Sequence, residues 1–197
     1  MQRRSFMKAL LLAGACPACT RLAWAGDDDD EHGEADDWDY EGDLGPSHWG
    51  ELDKDNLVCS EGTQQSPLDI HDEISADLRE LVTVWKRSQG QMVNNGHTIQ
   101  VNLPKGCITR RGDDVFELLQ FHFHAPSEHH VRAEVFPIEA HFVHKHVGTE
   151  NLGVLAVFLV PGKTNDTFAR LAASFPRAPG MEIPVKDLDP ARLLPSS

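Results

Sequence analysis

The chain has 197 residues, 31 of them acidic and 18 basic, for a formal net charge of −13, and 40% are hydrophobic. That is enough apolar material for one ordinary domain with a buried core. The acidic balance excludes a nucleic-acid partner, which needs a basic face. No apolar run reaches the ~18 residues of a membrane-spanning helix, so stable membrane insertion is not expected.

The charge divides the chain. Residues 1–25 carry +4, residues 26–41 carry −10 and the remainder carries −7. A basic start, the apolar stretch ALLLAGA and an Ala23-Trp24-Ala25 cleavage signal read as a signal peptide over 1–25. The Arg3-Arg4 pair, followed by Ser-Phe-Met-Lys, resembles a twin-arginine export signal. A periplasmic or secreted location follows. Cys16 and Cys19 form a C-x-x-C that falls inside the leader and is discounted. Cys59 and Cys107 remain, in a compartment where a disulfide could persist. Residues 26–37 read as an acidic, self-repelling linker without EF-hand spacing, not a cation sponge.

From residue 38 onward the pattern is mainly β. Leu81–Lys86, Met92–Leu103, Val115–His124, Ile138–His146 and Gly153–Val160 have strand length and composition, and Gly, Pro and Asn clusters separate them. Helix-like stretches fall near Ile74–Arg79 and Asn165–Ala173. The expected fold is a large twisted sheet, mixed or antiparallel, with a few short helices.

Phe116 to His124 reads F-E-L-L-Q-F-H-F-H. Strand alternation puts Gln120, His122 and His124 on one face and Leu119, Phe121 and Phe123 on the other. A second strand, I-E-A-H-F-V-H-K-H, puts Glu139, His141 and Val143 on one face. If the two strands are neighbours, His141 completes a three-nitrogen site with His122 and His124. Three neutral imidazoles with an open fourth position are the geometry of catalytic zinc. Ligating imidazoles need their second nitrogen held. Gln120 is placed to hold His122, and Glu139 to hold His141. His129, His130, His144 and His146 have no matching geometry and read as surface residues. A rival metal reading is a cupin-type H-x-H-x₃-E set, with Glu128 as a ligand and iron or manganese favoured. It leaves the Q-S-P and N-N-G-H segments without a role.

These residues resemble the α-class carbonic anhydrases of exported bacterial type. Gln120-Phe-His-Phe-His124, Ser127-Glu128-His129 and Glu139-Ala-His141-Phe-Val143-His144 follow that family's zinc region in order and spacing. Gln65-Ser66-Pro67-Leu-Asp-Ile, Asn94-Asn95-Gly96-His97, Trp38-Asp-Tyr40 and His48-Trp49-Gly50 match further segments. The similarity covers 38–197, which is taken as the domain. It implies reversible hydration of carbon dioxide to bicarbonate and a proton, with Zn²⁺ on His122, His124 and His141. It implies His97 as proton shuttle, Tyr40 in the water network and Glu128 in the network that orients the hydroxide. Val143 and Val154 would line the apolar substrate pocket. The partner is then a small molecule, CO₂ or bicarbonate, and the protein a monomer or homodimer. The family's S-L-T-T-P-P-C segment has no counterpart before Ser197, so the domain reads as incomplete at its C-terminus. That implies Cys59 either free or paired with Cys107. A zinc-binding relative with weak or no catalysis is the alternative of another class.

Overall fold

The computed structural model describes residues 38–40 and 42–195. The expected signal peptide and acidic linker lie outside the described residues. Among these, the strands are β1 (Asp69–Ile70), β2 (Leu81–Val84), β3 (Ser88–Asn94), β4 (Ile99–Asn102), β5 (Ile108–Arg111) and β6 (Asp114–His124). They continue as β7 (His130–Val131), β8 (Glu134–Val135), β9 (Ile138–His146), β10 (Leu152–Leu159) and β11 (Glu182–Leu188). The large sheet runs in the order β10-β9-β6-β4-β3-β11, and β5 joins β2 to β6. Its neighbouring pairs are antiparallel, and among the described residues the one parallel pair is β1 with β7 in a small separate sheet. No helix among the described residues is long and apolar enough to cross a membrane.

β6 is the axis of the sheet. From Phe116 to His124 it lies along β9, while β5 takes the first part of its other edge and β4 the last. One face of β6 and β9 buries Leu118, Phe121, Phe123, Ala140 and Phe142. Phe121 and Phe142 lie 5.4 Å apart, and Trp85 stands 4.9 Å from Phe142. Each fully buried Phe contributes about 1.5–3 kcal/mol relative to exposure. The helix Asp166–Ala172 closes this core with Leu171 and Phe168, and Asn165 caps it by accepting from Phe168 N at 3.0 Å.

Three details differ from the sequence reading. The stretch Met92–Leu103 is not one strand. Asn95 Oδ1 accepts from the N–H of both His97 and Thr98, Gly96 sits at φ +94°, and the chain reverses there into a hairpin. Ile74–Arg79 forms no helix, because Ile74 and Leu78 are 91% and 82% exposed and find no surface to pack on. Leu119 does not join the Phe face. The β6–β9 register shifts between Leu118 and Gln120, so Leu118 enters the core instead.

Candidate metal centre

The face of β6 opposite the phenylalanines carries Gln120, His122 and His124, all buried. Register delivers the third imidazole: His122 is directly opposite His141, and His124 opposite Glu139. Side chains opposed across an antiparallel ladder are near neighbours. The three ring centroids lie 4.5 to 5.4 Å apart, and one nitrogen from each ring falls within 4.8 Å of the others.

The partners of each ring show which nitrogen is free. His122 Nδ1 lies 2.9 Å from Gln120 Oε1, which leaves Nε2 facing the cluster. His141 Nε2 lies 3.0 Å from Glu139 Oε1, which leaves Nδ1. His124 is 1% exposed, and neither of its ring nitrogens has a hydrogen bond among the described residues. An imidazole buried without hydrogen bonds is costly unless something else takes its lone pair. This set fits a divalent cation such as zinc: three nitrogen donors, with His122 held by Gln120, His141 beside the Glu139 carboxylate, and a buried His124 whose ring nitrogens make no hydrogen bond.

Electrostatics keep His122 and His124 neutral. Burial, with His141 nearby, lowers the His122 pKa to about 3. Burial pushes His124 well below its ordinary 6.5, and His122 and His141 add to the effect. The lone pairs of these two rings are therefore available at neutral pH. Burial alone would raise the Glu139 carboxyl. The hydrogen bonds from His141 and His129 outweigh it and bring the pKa down to about 2.

Around the cluster, Glu128 Oε1 is 3.4 Å from His124 Nδ1, and its Oε2 is 3.8 Å from His141 Nδ1. The Tyr40 hydroxyl donates to Glu128 Oε1 at 3.2 Å. Val143 follows His141 on the same face and is paired with Val154 of β10, which is 56% exposed. His97 leaves the Asn95 turn with its ring stacked on Trp38, centroids 3.8 Å apart.

Two histidines read as surface residues are not. His144 is 3% exposed on the core face, with Nε2 2.9 Å from Thr109 Oγ1 and Nδ1 2.8 Å from the Phe142 carbonyl. It belongs to the alternating face of Phe142, and that alone could have flagged it. His129 is partly buried, with Nδ1 2.7 Å from Glu139 Oε1. No spacing rule links residues 129 and 139, because a loop and two short strands separate them. Cys59 and Cys107 are both free thiols. Cys107 is buried, and its sulfur accepts from Lys86 N at 3.3 Å.

Comparison with known proteins agrees with this geometry. The model of the eukaryotic-type carbonic anhydrase family matches residues 44–197. A carbonic anhydrase of Neisseria gonorrhoeae is 38% identical over 180 residues, covering 90% of this chain and 69% of that protein. One from Nostoc is 36% identical, covering 81% of this chain and 62% of its own length. The α-carbonic anhydrase of Thermovibrio ammonificans, solved with the inhibitor sulfanilamide, superposes with a TM-score of 0.79 at 39% identity, covering 84% of this chain and 74% of that one. The Photobacterium profundum α-carbonic anhydrase superposes with a TM-score of 0.75 at 38% identity, covering 82% and 73%. The chain spans roughly half to two thirds of the length of the curated relatives it matches. Fold, ordered motifs and relatives agree, and the cupin-type reading is set aside: the chain belongs to the eukaryotic-type, or α, carbonic anhydrase family.

Proposed function

We propose that this chain catalyses the zinc-dependent, reversible hydration of carbon dioxide to bicarbonate and a proton. The observation that carries the reading is His124, buried between His122 and His141 with both ring nitrogens unbonded. When bound, zinc supplies Lewis-acid chemistry that makes water nucleophilic near neutral pH, as is established for carbonic anhydrases. His122, His124 and His141 hold the ion. Gln120 and Glu139 fix the ring orientations of His122 and His141.

Glu128 stands beside two of the ligands and is held by Tyr40. It serves as an acceptor that orients a hydroxyl in the site, and Tyr40 orders the neighbouring waters. Val143 and Val154 offer apolar surface beside His141, suited to an uncharged gas that makes no strong hydrogen bonds. His97 moves the released proton to buffer, since an imidazole side chain can both take and give a proton. The leader-like N-terminus supports export to the periplasm or cell exterior.

CO₂ hydration by the zinc-loaded protein tests this reading. The expected rate is far above that of aqueous zinc at equal concentration. A rate equal to aqueous zinc would assign instead a zinc-binding module without turnover.

A further inference from the structure

β10 ends the large sheet, and its outer edge is open. Its pairing with β9 runs without interruption from Leu152 to Leu159. His146 N donates to the Asn151 carbonyl at 2.8 Å, so Asn151 and then Gly153, Leu155 and Val157 turn their main-chain groups toward β9. By alternation Leu152, Val154, Ala156 and Phe158 turn theirs outward, where no main-chain partner meets them among the described residues. These outward-turned residues carry their side chains on the metal face, because Val154 is opposite Val143 and Ala156 opposite His141. Val154 is 56% exposed, and Leu152 and Ala156 are exposed too.

The other ends of the sheet are blunted, and β10 is not. β11 carries Pro184, Lys186 and a register shift between Val185 and Leu188. β2 has only four residues and follows the charged pair Arg79-Glu80. Proline, lysine, irregular register and short length are the devices that keep sheet edges apart. β10 has eight residues, LGVLAVFL, with no charge, no proline and no bulge. Charge begins only beyond its two ends, with Glu150 on one side and Lys163 on the other, both exposed.

A strand edge with opposite charges beyond its two ends is complementary to a second copy of itself run in the reverse direction. A twofold axis produces that arrangement and closes the assembly at two copies. We propose that this chain forms a homodimer through β10, antiparallel to β10 of a second copy, with the twofold axis at Ala156. The two large sheets then join into one. Val154 opposes Phe158 of the second copy, so an aromatic and a β-branched side chain pair on each side of the axis. Phe158 is held for this by its stack on Phe136, with ring centroids 4.1 Å apart. About six main-chain hydrogen bonds form from Val154, Ala156 and Phe158 of both copies. Glu150 falls diagonally beside Lys163 of the second copy. One of its oxygens already holds Lys145 at 2.7 Å, and the carboxylate has a second oxygen for the lysine. An axis at Leu155 would instead set Val154 against Ala156 and move Glu150 away from Lys163.

Sedimentation velocity and amide hydrogen exchange on the full chain test this. The expected result is a dimer at micromolar concentration, with slow exchange at Val154, Ala156 and Phe158. Ala156→Lys sets two like charges on the axis and should weaken the dimer by about tenfold or more. Its circular dichroism should match the wild type, because residue 156 is exposed. Ala156→Cys is the second variant. The opposed Cα atoms of such a pair are about 5.5 Å apart, a distance that suits a disulfide. Oxidised glutathione should therefore link residue 156 of one copy to residue 156 of the other, as read by peptide mapping. Val154→Cys, opposed to Phe158, should link to itself far more slowly. A monomeric wild type overturns the proposal, as does a dimer that Ala156→Lys leaves intact or a 154–154 link that forms as fast as the 156–156 link. Slow exchange along β10 in monomeric Ala156→Lys overturns it too, because another part of the same chain would then cover the edge. CO₂ hydration enters none of these readouts, so this proposal and the proposed function fail separately.

Discussion

His122 and His141 are directly opposed across the β6–β9 ladder, with ring centroids 5.4 Å apart. The metal centre therefore depends on strand register. A slip of one residue would turn His141 to the core face and bring Phe142 or Ala140 opposite His122. Phe121 and Phe142, packed 5.4 Å apart on the reverse face, oppose that slip. Phe121→Ala should cost about 3–5 kcal/mol of stability. Urea denaturation measures it, and a cost below about 1 kcal/mol would mean that this packing does not hold the register.

Gln120 fixes His122 through a 2.9 Å contact to Nδ1. Gln120→Ala should weaken zinc binding about 10–100-fold, the usual effect of removing the partner of a ligating histidine. Chelator competition reads this directly. Unchanged affinity would show that the ring is oriented by packing alone.

Acid should destabilise the metal-free protein early. His122 has a folded pKa of about 3 against an ordinary 6.5, and His124 is also lowered by burial. Below pH 6.5 the unfolded chain binds protons that the folded chain refuses. Stability is thus full above 6.5 and declines as pH falls toward 3. Glu139 adds a loss in the same direction, from 4.5 down to about 2. The urea midpoint of metal-free protein should be lower at pH 5.5 than at pH 7.5. Equal midpoints would contradict the buried, neutral histidines.

The turn that presents His97 is tied to the loop that precedes β11. Asn94 Oδ1 accepts from Gly96 N at 3.0 Å, and its Nδ2 donates to the Pro176 carbonyl at 3.2 Å. Asn94→Ala should loosen the turn, lower kcat several-fold in weak buffer and leave kcat/KM unchanged, with added imidazole restoring kcat. A parallel fall in kcat/KM would place the effect on the metal site instead of on proton transfer.

Behind β9, Trp85 Nε1 and His144 Nε2 share one hydroxyl, that of Thr109, at 2.9 Å each. Thr109→Val leaves both ring nitrogens buried without that partner and should cost about 1–3 kcal/mol. Thermal unfolding checks it. A neutral substitution would show that water replaces the hydroxyl.

Much of this was legible in the residues. The alternation in F-E-L-L-Q-F-H-F-H and I-E-A-H-F-V-H-K-H separated a histidine face from a phenylalanine face, and β9 runs over the expected Ile138–His146. The bulge at Leu119 was not legible, because an extra residue leaves composition unchanged while shifting the pattern on one side of it. Ile74–Arg79 had helical spacing but no surface to bury it, a tertiary fact. The His129–Glu139 contact joins a loop to β9, and only the folded chain brings the two together.

The most direct measurement is zinc stoichiometry by native mass spectrometry on the wild type and on His122→Ala, His124→Ala and His141→Ala. One zinc per wild-type chain is expected, with none retained after gel filtration by any of the three variants. One zinc kept by all three variants, or none on the wild type, would contradict a shared ion at these imidazoles.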